Sequence, residues 1–398
     1  MSDESIGKQT VRDIDLSGQR VLLRADLNVP IENGRITDDT RIRESLPTIS
    51  YLLEHGCLVV LCSHLGRPKG PDPALSLSPV ANRLRELLPN TTVTFAGDCV
   101  GVPAEAAAAS SPVPGVVLLE NLRFHAEEER NDAEFARQLA SLASVYVNDA
   151  FGAAHRAHAS TEGVTHHLPA VAGLLMEKEV RYLSALVANP PRPFAAVIGG
   201  AKVSTKLPAI DHLLPKLDLL LLGGGMANTF LKATGVDVRA SLVEDEQVAA
   251  ARRILDEARK RGVDVHLPSD VVAAARFTAD APAVTVDARN VPEGYLILDI
   301  GPATVAAYAE ALSRAWAVVW NGPMGVFEME PFAAGSMGIA RAIAALDAVT
   351  VVGGGETAAV VARSGLGTRF THVSTGGGAS LEMLEGRELP GVAALLDA

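Results

Sequence analysis

Arginine or histidine repeatedly stands just past an apolar run in the first half of this chain. Arg24, with Asp26 and Asn28, lies in VLLRADLNVP, His64 and Arg67 in VVLCSHLGRP, Arg123 in VVLLENLRFH and Arg156 in VYVNDAFGAAHRAH. Arg41, in ITDDTRIRESL, joins them at the start of a predicted helix that Asp38, Asp39 or Thr40 could cap. A charge-assisted hydrogen bond contributes about 1.5–3 kcal/mol, and micromolar binding takes about 8 kcal/mol. Several convergent cations are therefore the expected way to hold a small di- or trianion. The second half ends its apolar runs in glycines instead: AVIGGAKVSTK, LLLLGGGMAN, VTVVGGGETAAV and HVSTGGGASLE. Glycine loops let backbone N–H groups close on phosphates at helix N-termini. One half reads as a small-acid site, the other as a nucleotide site.

The glycine loops differ from other phosphate cradles. No GxxxxGK[ST] occurs, which excludes a P-loop enzyme. Gly353, Gly355 and Ala358 match GxGxx[GA], but His372-Val373-Ser374-Thr375 stands where a dinucleotide site would carry its ribose-binding acid. Lys202 and Lys206, four apart, are expected on one face of a helix turn, where each could meet phosphate oxygens as a point charge. Glu328 follows a Gly-Pro loop and could accept ribose hydroxyls. His155 and His158 lack a third metal ligand nearby, and Glu127-Glu128-Glu129 reads as a solvated helix start.

These residues need scaffolds that place them at strand ends. Short β-branched or Leu-rich runs alternate with helical patterns, the signature of βαβ units and parallel sheets. Strands are predicted near 20–24, 58–62, 92–95, 116–119 and 144–148, then near 194–199, 218–222, 263–266, 284–286, 296–299, 317–320, 349–352 and 371–374. Two doubly wound α/β domains account for both series, and ligands of such sheets sit beyond the carboxyl ends of the strands. An amphipathic helix over 174–187 separates the series and stops at Asn189-Pro190-Pro191-Arg192-Pro193. The C-terminal LEMLEGRELPGVAALLDA is too short for a layer of its own and must dock on one domain; periodicity leaves open which.

Composition narrows the partners. A chain of 398 residues with 48% hydrophobic and 21% charged content is a compact globular protein of more than one domain. A net charge of −12 argues against nucleic-acid and anionic-membrane binding. Cys57, Cys62 and Cys99 show neither CxxC nor the His spacing of a zinc site and read as reduced core thiols. No apolar run approaches a membrane span and MSDESIGKQT has no signal-like core, so a cytoplasmic protein is expected, and a monomer, because no heptad or apolar stripe asks for a partner.

RADLNVP, SHLGRP, ENLRFHAEEE, NDAFGAAHRAH, GGAKVSTK, LLGGGMA, WNGPMGVFE, GGGET and STGGGASLE, in this order, resemble the phosphoglycerate kinase family essentially end to end. The resemblance implies two Rossmann-like domains joined by a hinge helix. Their ranges would be an N-terminal 3-phosphoglycerate-binding domain over 1–175, an interdomain helix and linker over 176–193, a nucleotide-binding domain over 194–378 and a C-terminal segment over 379–398 returning to the first domain. It implies reversible phosphoryl transfer in glycolysis between ATP/ADP, with Mg²⁺, and the carboxylate of 3-phosphoglycerate, giving 1,3-bisphosphoglycerate. Asp26, Leu27, Asn28, Arg41, His64, Leu65, Gly66, Arg67, Arg123 and Arg156 would hold the phosphoglycerate. Gly200, Ala201, Lys202, Lys206, Gly223, Gly224, Ile297, Glu328, Gly354, Gly355, Glu356 and Thr357 would serve the nucleotide, with Glu356 at the metal. Arg41, Lys202, Gly355 and Gly378 would carry catalysis, the glycines as helix N-termini, with domain closure excluding water.

Two positions depart from the family pattern. Glu356 stands where Asp is common, one methylene longer, and Ile297 where Gly is frequent near the adenine. The rival readings are a non-catalytic nucleotide-binding homologue acting as an interaction protein, and a nicotinamide oxidoreductase, which the absent ribose-binding acid weakens.

Overall fold

The computed structural model describes residues 6–398, which fall into two compact units: Ile6–Arg181 with Glu388–Ala398, and Tyr182–Arg387. Strands of the first unit are β1 (Arg20–Arg24), β2 (Ile31–Glu32), β3 (Arg35–Ile36), β4 (Leu58–Cys62), β5 (Val93–Phe95), β6 (Gly115–Leu118), β7 (Val145–Asn148) and β8 (Ala170–Ala172). Those of the second are β9 (Phe194–Ile198), β10 (Leu219–Leu222), β11 (Asp264–His266), β12 (Asp270–Ala274), β13 (Val284–Asp287), β14 (Leu296–Ile300), β15 (Ala317–Asn321), β16 (Val349–Gly353) and β17 (His372–Val373).

In the first unit six parallel strands form a sheet in the order β5-β6-β4-β1-β7-β8. Helices on both faces leave β4 and β7 buried along their whole length, which is why their sequences read as unbroken apolar runs. The direction of winding reverses between β1 and β7, so a crevice opens beyond the ends of those two strands. β2 and β3 form a separate hairpin. The C-terminal residues belong to this unit: Gln9 N–H donates to Leu396 O, Leu396 N–H to Ala170 O, and the buried Asn148 amide to Gly391 O (2.9 Å).

In the second unit the main sheet runs β11-β10-β9-β15-β16-β17, all parallel. Its reversal lies between β9 and β15. The runs near 284–286 and 296–299 do not join this sheet. They flank β12 in a three-stranded antiparallel sheet, β13-β12-β14, which, like the antiparallel β2-β3 hairpin, departs from the all-parallel expectation. Helix Leu174–Ala188 contains the division between the units, and helix Gly377–Leu384 belongs to the second unit.

Candidate functional site

In the first unit the loop after β1 folds back on itself. Asp26 Oδ1 accepts from Asn28 N–H (3.2 Å), and Arg41, in the first turn of helix Thr40–Glu54, donates from Nη1 to both Asp26 oxygens (3.0 Å each) and to Asn28 O (3.3 Å). No side chain caps that helix: Asp38 instead binds the N–H and hydroxyl of Thr40. Asn28 Oδ1 accepts from Gly66 N–H (2.9 Å), and Arg123 donates from Nη1 to Gly66 O (2.7 Å). Leu27 and Leu65 are buried, their N–H groups held by Ser63 Oγ and Asn121 Oδ1. Asp26, Asn28, Arg41, Gly66 and Arg123 are thus one connected rim. Arg67 is exposed, and Arg156 donates to its neighbour His155.

Beneath the rim lies charge whose burial sequence patterns did not reveal. Arg24 is fully buried; its Nε donates to Ser160 Oγ (2.8 Å) and its Nη2 to His64 Nδ1 (3.0 Å). A guanidinium only donates, so the His64 proton must sit on Nε2. Burial holds His64 well below its usual pKa, and Arg24, Arg123 and Arg41 push it the same way. Burial likewise brings His158 down to about 4, with Arg24, Arg123 and Arg156 adding to the effect. Glu128, expected on a solvated helix start, is instead fully buried and accepts from the hydroxyl and N–H of Ser160. Burial raises its pKa, opposed by Arg24 and Ser160. Arg24, Arg123 and Arg41, close enough to act together on His64, make a concentration of positive charge that favours an anion.

In the second unit glycine loops from adjacent strands pack backbone on backbone. Gly200 N–H donates to Pro323 O, Gly224 N–H to Met324 O, and Met226 N–H to Gly200 O. A Cβ on Gly199 would lie 2.2 Å from Pro323 O, and one on Gly224, at φ +65°, 2.6 Å from Gly200 O. Only glycine permits this approach, which assembles the loops after β9, β10 and β15 at the point where the sheet reverses. Ala201 is exposed beside them.

Beyond β16 and β17, helices Gly355–Ser364 and Gly377–Leu384 start at Gly354 and Gly376, neither with a side-chain cap. Their N-termini meet: a Cβ on Gly377 would sit 3.0 Å from Gly355 N. Gly355 and Gly378 are exposed, so these donors face solvent. Asn321, ending β15, receives Lys206 Nζ on its Oδ1, while its buried Nδ2 has no partner and lies 3.4 Å from a Cβ position at Gly354. This orphaned donor is what a phosphate oxygen would satisfy. Glu356 is exposed in the first turn of its helix, and one carboxylate alongside phosphates is a usual Mg²⁺ arrangement. Thr357 is buried, its Oγ1 accepting from Gly322 N–H.

The two lysines do not share a helix turn. The helix begins only at Leu207, with Pro208 in its first turn, so Lys206 is the cap residue and Lys202 lies in the preceding loop. Burial lowers the Lys206 pKa, against the pull of Glu356 and Glu385, whereas Lys202 is exposed. Glu328 is exposed in a turn. Ile297 sits on β14 of the antiparallel sheet, and its N–H is taken by Ser241 Oγ (2.9 Å). Glu128 and Asn321 are the residues added to these sites by the fold, and Arg24, one of the cations singled out by its place after an apolar run, proves to be buried beneath the rim instead of on it. The sequence hint for Asn321 was that it ends a strand.

A family model described as phosphoglycerate kinase matches residues 11–387. A phosphoglycerate kinase of Moorella thermoacetica is 58% identical over 393 residues, 98% of this chain and 100% of that protein. A protein of Triticum aestivum named phosphoglycerate kinase, cytosolic, is 55% identical over 394 residues, 98% of each. Among solved structures, phosphoglycerate kinase from Coxiella burnetii is similar with a TM-score of 0.87 at 40% identity, covering 97% of this chain and 98% of that one.

Proposed function

The chain belongs to the phosphoglycerate kinase family and transfers a phosphoryl group between ATP and the carboxylate of 3-phosphoglycerate, and from that premise we propose how its residues divide the work. Asp26, Leu27, Asn28, Arg41, His64, Leu65, Gly66, Arg67, Arg123 and Arg156 hold 3-phosphoglycerate or 1,3-bisphosphoglycerate, in the unit of residues 6–181 and 388–398. Gly200, Ala201, Lys202, Lys206, Gly223, Gly224, Glu328, Gly354, Gly355, Glu356 and Thr357 hold ATP or ADP in the other. Ile297 can contribute only its side chain or carbonyl, since its N–H is engaged.

The reacting carboxylate is already ionised at neutral pH, so the protein supplies no general base. One of its oxygens bonds to the γ-phosphorus as the bond to the bridging oxygen of ADP breaks. In a loose phosphoryl transition state the work is positioning and charge neutralisation. Arg41, held by Asp26, orients the acid. Lys202, Lys206 and the helix N-termini at Gly355 and Gly378 receive the negative charge of the transferring group. Mg²⁺, arriving with the nucleotide, would be held by Glu356 and neutralise phosphate charge.

The observation that supports this division is the contrast between the units: the buried guanidinium of Arg24 beneath the rim of Arg41 and Arg123 in one, two meeting helix N-termini in the other. A non-catalytic homologue would have no use for both, and that reading is not favoured. Helix Leu174–Ala188, in which the division falls, is the proposed hinge. No helix among the described residues is long and apolar enough to cross a membrane, and the free, buried Cys57, Cys62 and Cys99 support a reducing, cytosolic location.

Calorimetric titration tests the division. Arg123→Ala should lose 3-phosphoglycerate binding about 10- to 100-fold, from one charge-assisted bond, and keep Mg·ADP binding; Lys206→Ala should do the reverse. A variant that weakens both ligands equally would contradict it.

A further inference from the structure

Sequence spacing offers Cys99 no metal-ligating neighbours, but the fold provides them. The loop after β5 and the turn after β6 bring Asp98, Cys99 and His125 together, one ligand atom from each lying within 4.8 Å of the others. His125 Nε2 is 2.7 Å from Asp98 Oδ1, and the same oxygen accepts from Cys99 N–H at 2.7 Å. The thiol is buried, whereas the Asp98 and His125 side chains are 39% and 30% exposed. The cluster thus has a closed side and an open one. None of the three is among the residues assigned to the substrates.

We propose that Asp98, Cys99 and His125 form a binding site for a zinc-class divalent cation, through one carboxylate oxygen, Sγ and Nε2, with water as the fourth ligand on the open side. Thiolate, imidazole and carboxylate are the donor set that zinc prefers. Tetrahedral coordination at about 2.0–2.3 Å places ligand atoms about 3.3–3.8 Å apart, so Asp98 and His125 separate by about 0.6–1 Å and the sulfur closes on them by at most about 1–1.5 Å. Rotation of two partly exposed side chains accommodates this. Burial holds the Cys99 thiol well above its usual pKa, and Asp98 and the buried Glu128 push it the same way, so the thiol stays protonated until a cation arrives; the same negative charge that disfavours a bare thiolate attracts the cation that replaces the proton. On binding, the S–H bond is replaced by S–metal and the thiol proton leaves to solvent, while the imidazole carries its remaining proton on Nδ1. The ion would cross-link the two loops. Mg²⁺, a hard cation that prefers oxygen ligands, does not compete for a thiolate.

Cobalt(II) titration of the full reduced chain tests the site, because cobalt takes zinc geometry and shows a thiolate charge-transfer absorption. The expected result is a near-ultraviolet band saturating at one equivalent, one proton released per ion in mildly alkaline buffer, and displacement of the band by zinc. Cys99→Ser should abolish the band and Cys57→Ala should keep it. His125→Gln should weaken binding about tenfold or more, since losing even an outer partner of a ligand costs that much. Absence of the band in the wild type under excess cobalt, or its survival in Cys99→Ser, would overturn the proposal. If Cys99→Ser does not fold, undiminished cobalt affinity in His125→Gln would overturn it equally.

Discussion

Replacing Arg24 by methionine should destabilise the first unit severely, and more at pH 8 than at pH 5. Arg24 is 1% exposed, and through Ser160 it is linked to the fully buried Glu128, whose Oε1 accepts from the Ser160 hydroxyl at 2.5 Å. Methionine fills the space but leaves the carboxylate without its counter-charge, a change that costs about 3–5 kcal/mol when a buried pair is broken. At about 1.4 kcal/mol per decade, amide protection in β1 and β7 should fall on the order of 10²- to 10³-fold. Hydrogen exchange is the suitable assay, because Trp316 and Trp320, the two tryptophans of the chain, both lie in the other unit. Glu128 already has a folded-state pKa raised above the usual 4.5, and losing Arg24 raises it further. The folded state then binds the proton more tightly than the unfolded chain, so the variant's stability rises as pH falls through that raised value. Its deficit should therefore be largest above the raised pKa and shrink toward about 4.5. Adding Glu128→Gln should recover most of the loss. A deficit below about 1 kcal/mol, or one that is the same at both pH values, would refute the reasoning.

Gly377→Ala should place a methyl 3.0 Å from Gly355 N and force apart the two helix N-termini; the overpacking should cost the second unit about 1–3 kcal/mol of stability, and kcat should fall with 3-phosphoglycerate affinity kept, checked by urea unfolding and steady-state kinetics. Burial raises Asp299 to about 7, with Gly335 and Ile300 N–H groups opposing. It follows that the second unit should lose stability as pH rises from about 4 through 7 and level off above; tryptophan-monitored urea unfolding should show this slope in the wild type and a flatter one in Asp299→Asn. Glu356→Asp should keep activity and change the ratio of rates with Mg²⁺ and Mn²⁺; an unchanged ratio would remove Glu356 from the metal site.

The parallel sheets were legible because their central strands are buried on both faces, so LVVLC, VYVN and AVVWN read as continuous apolar runs. Ala170–Ala172 carried too little apolar surface to register as a strand, and Asp270–Ala274 likewise passed unnoticed. Neither periodicity nor length distinguishes parallel from antiparallel pairing in strands of four or five residues, which is why β13 and β14 were placed with the main sheet. Of the rim arginines, Arg123 was visible because it follows a strand and Arg41 because it opens a helix. Glu128 was misread because three consecutive acids look solvated, and only the fold brings Ser160 and Arg24 to one of them. Asn321 and the Asp98–Cys99–His125 cluster depend in the same way on contacts between loops distant in sequence.

Phosphoryl transfer itself is the most direct test of the account. Acyl phosphate formed from Mg·ATP and 3-phosphoglycerate can be trapped with hydroxylamine, for the wild type and Lys202→Ala side by side. The account predicts rapid trapping by the wild type and a collapse of turnover in the variant, with 3-phosphoglycerate binding retained. Undiminished turnover in Lys202→Ala, or a wild type that binds both substrates and traps nothing, would contradict it.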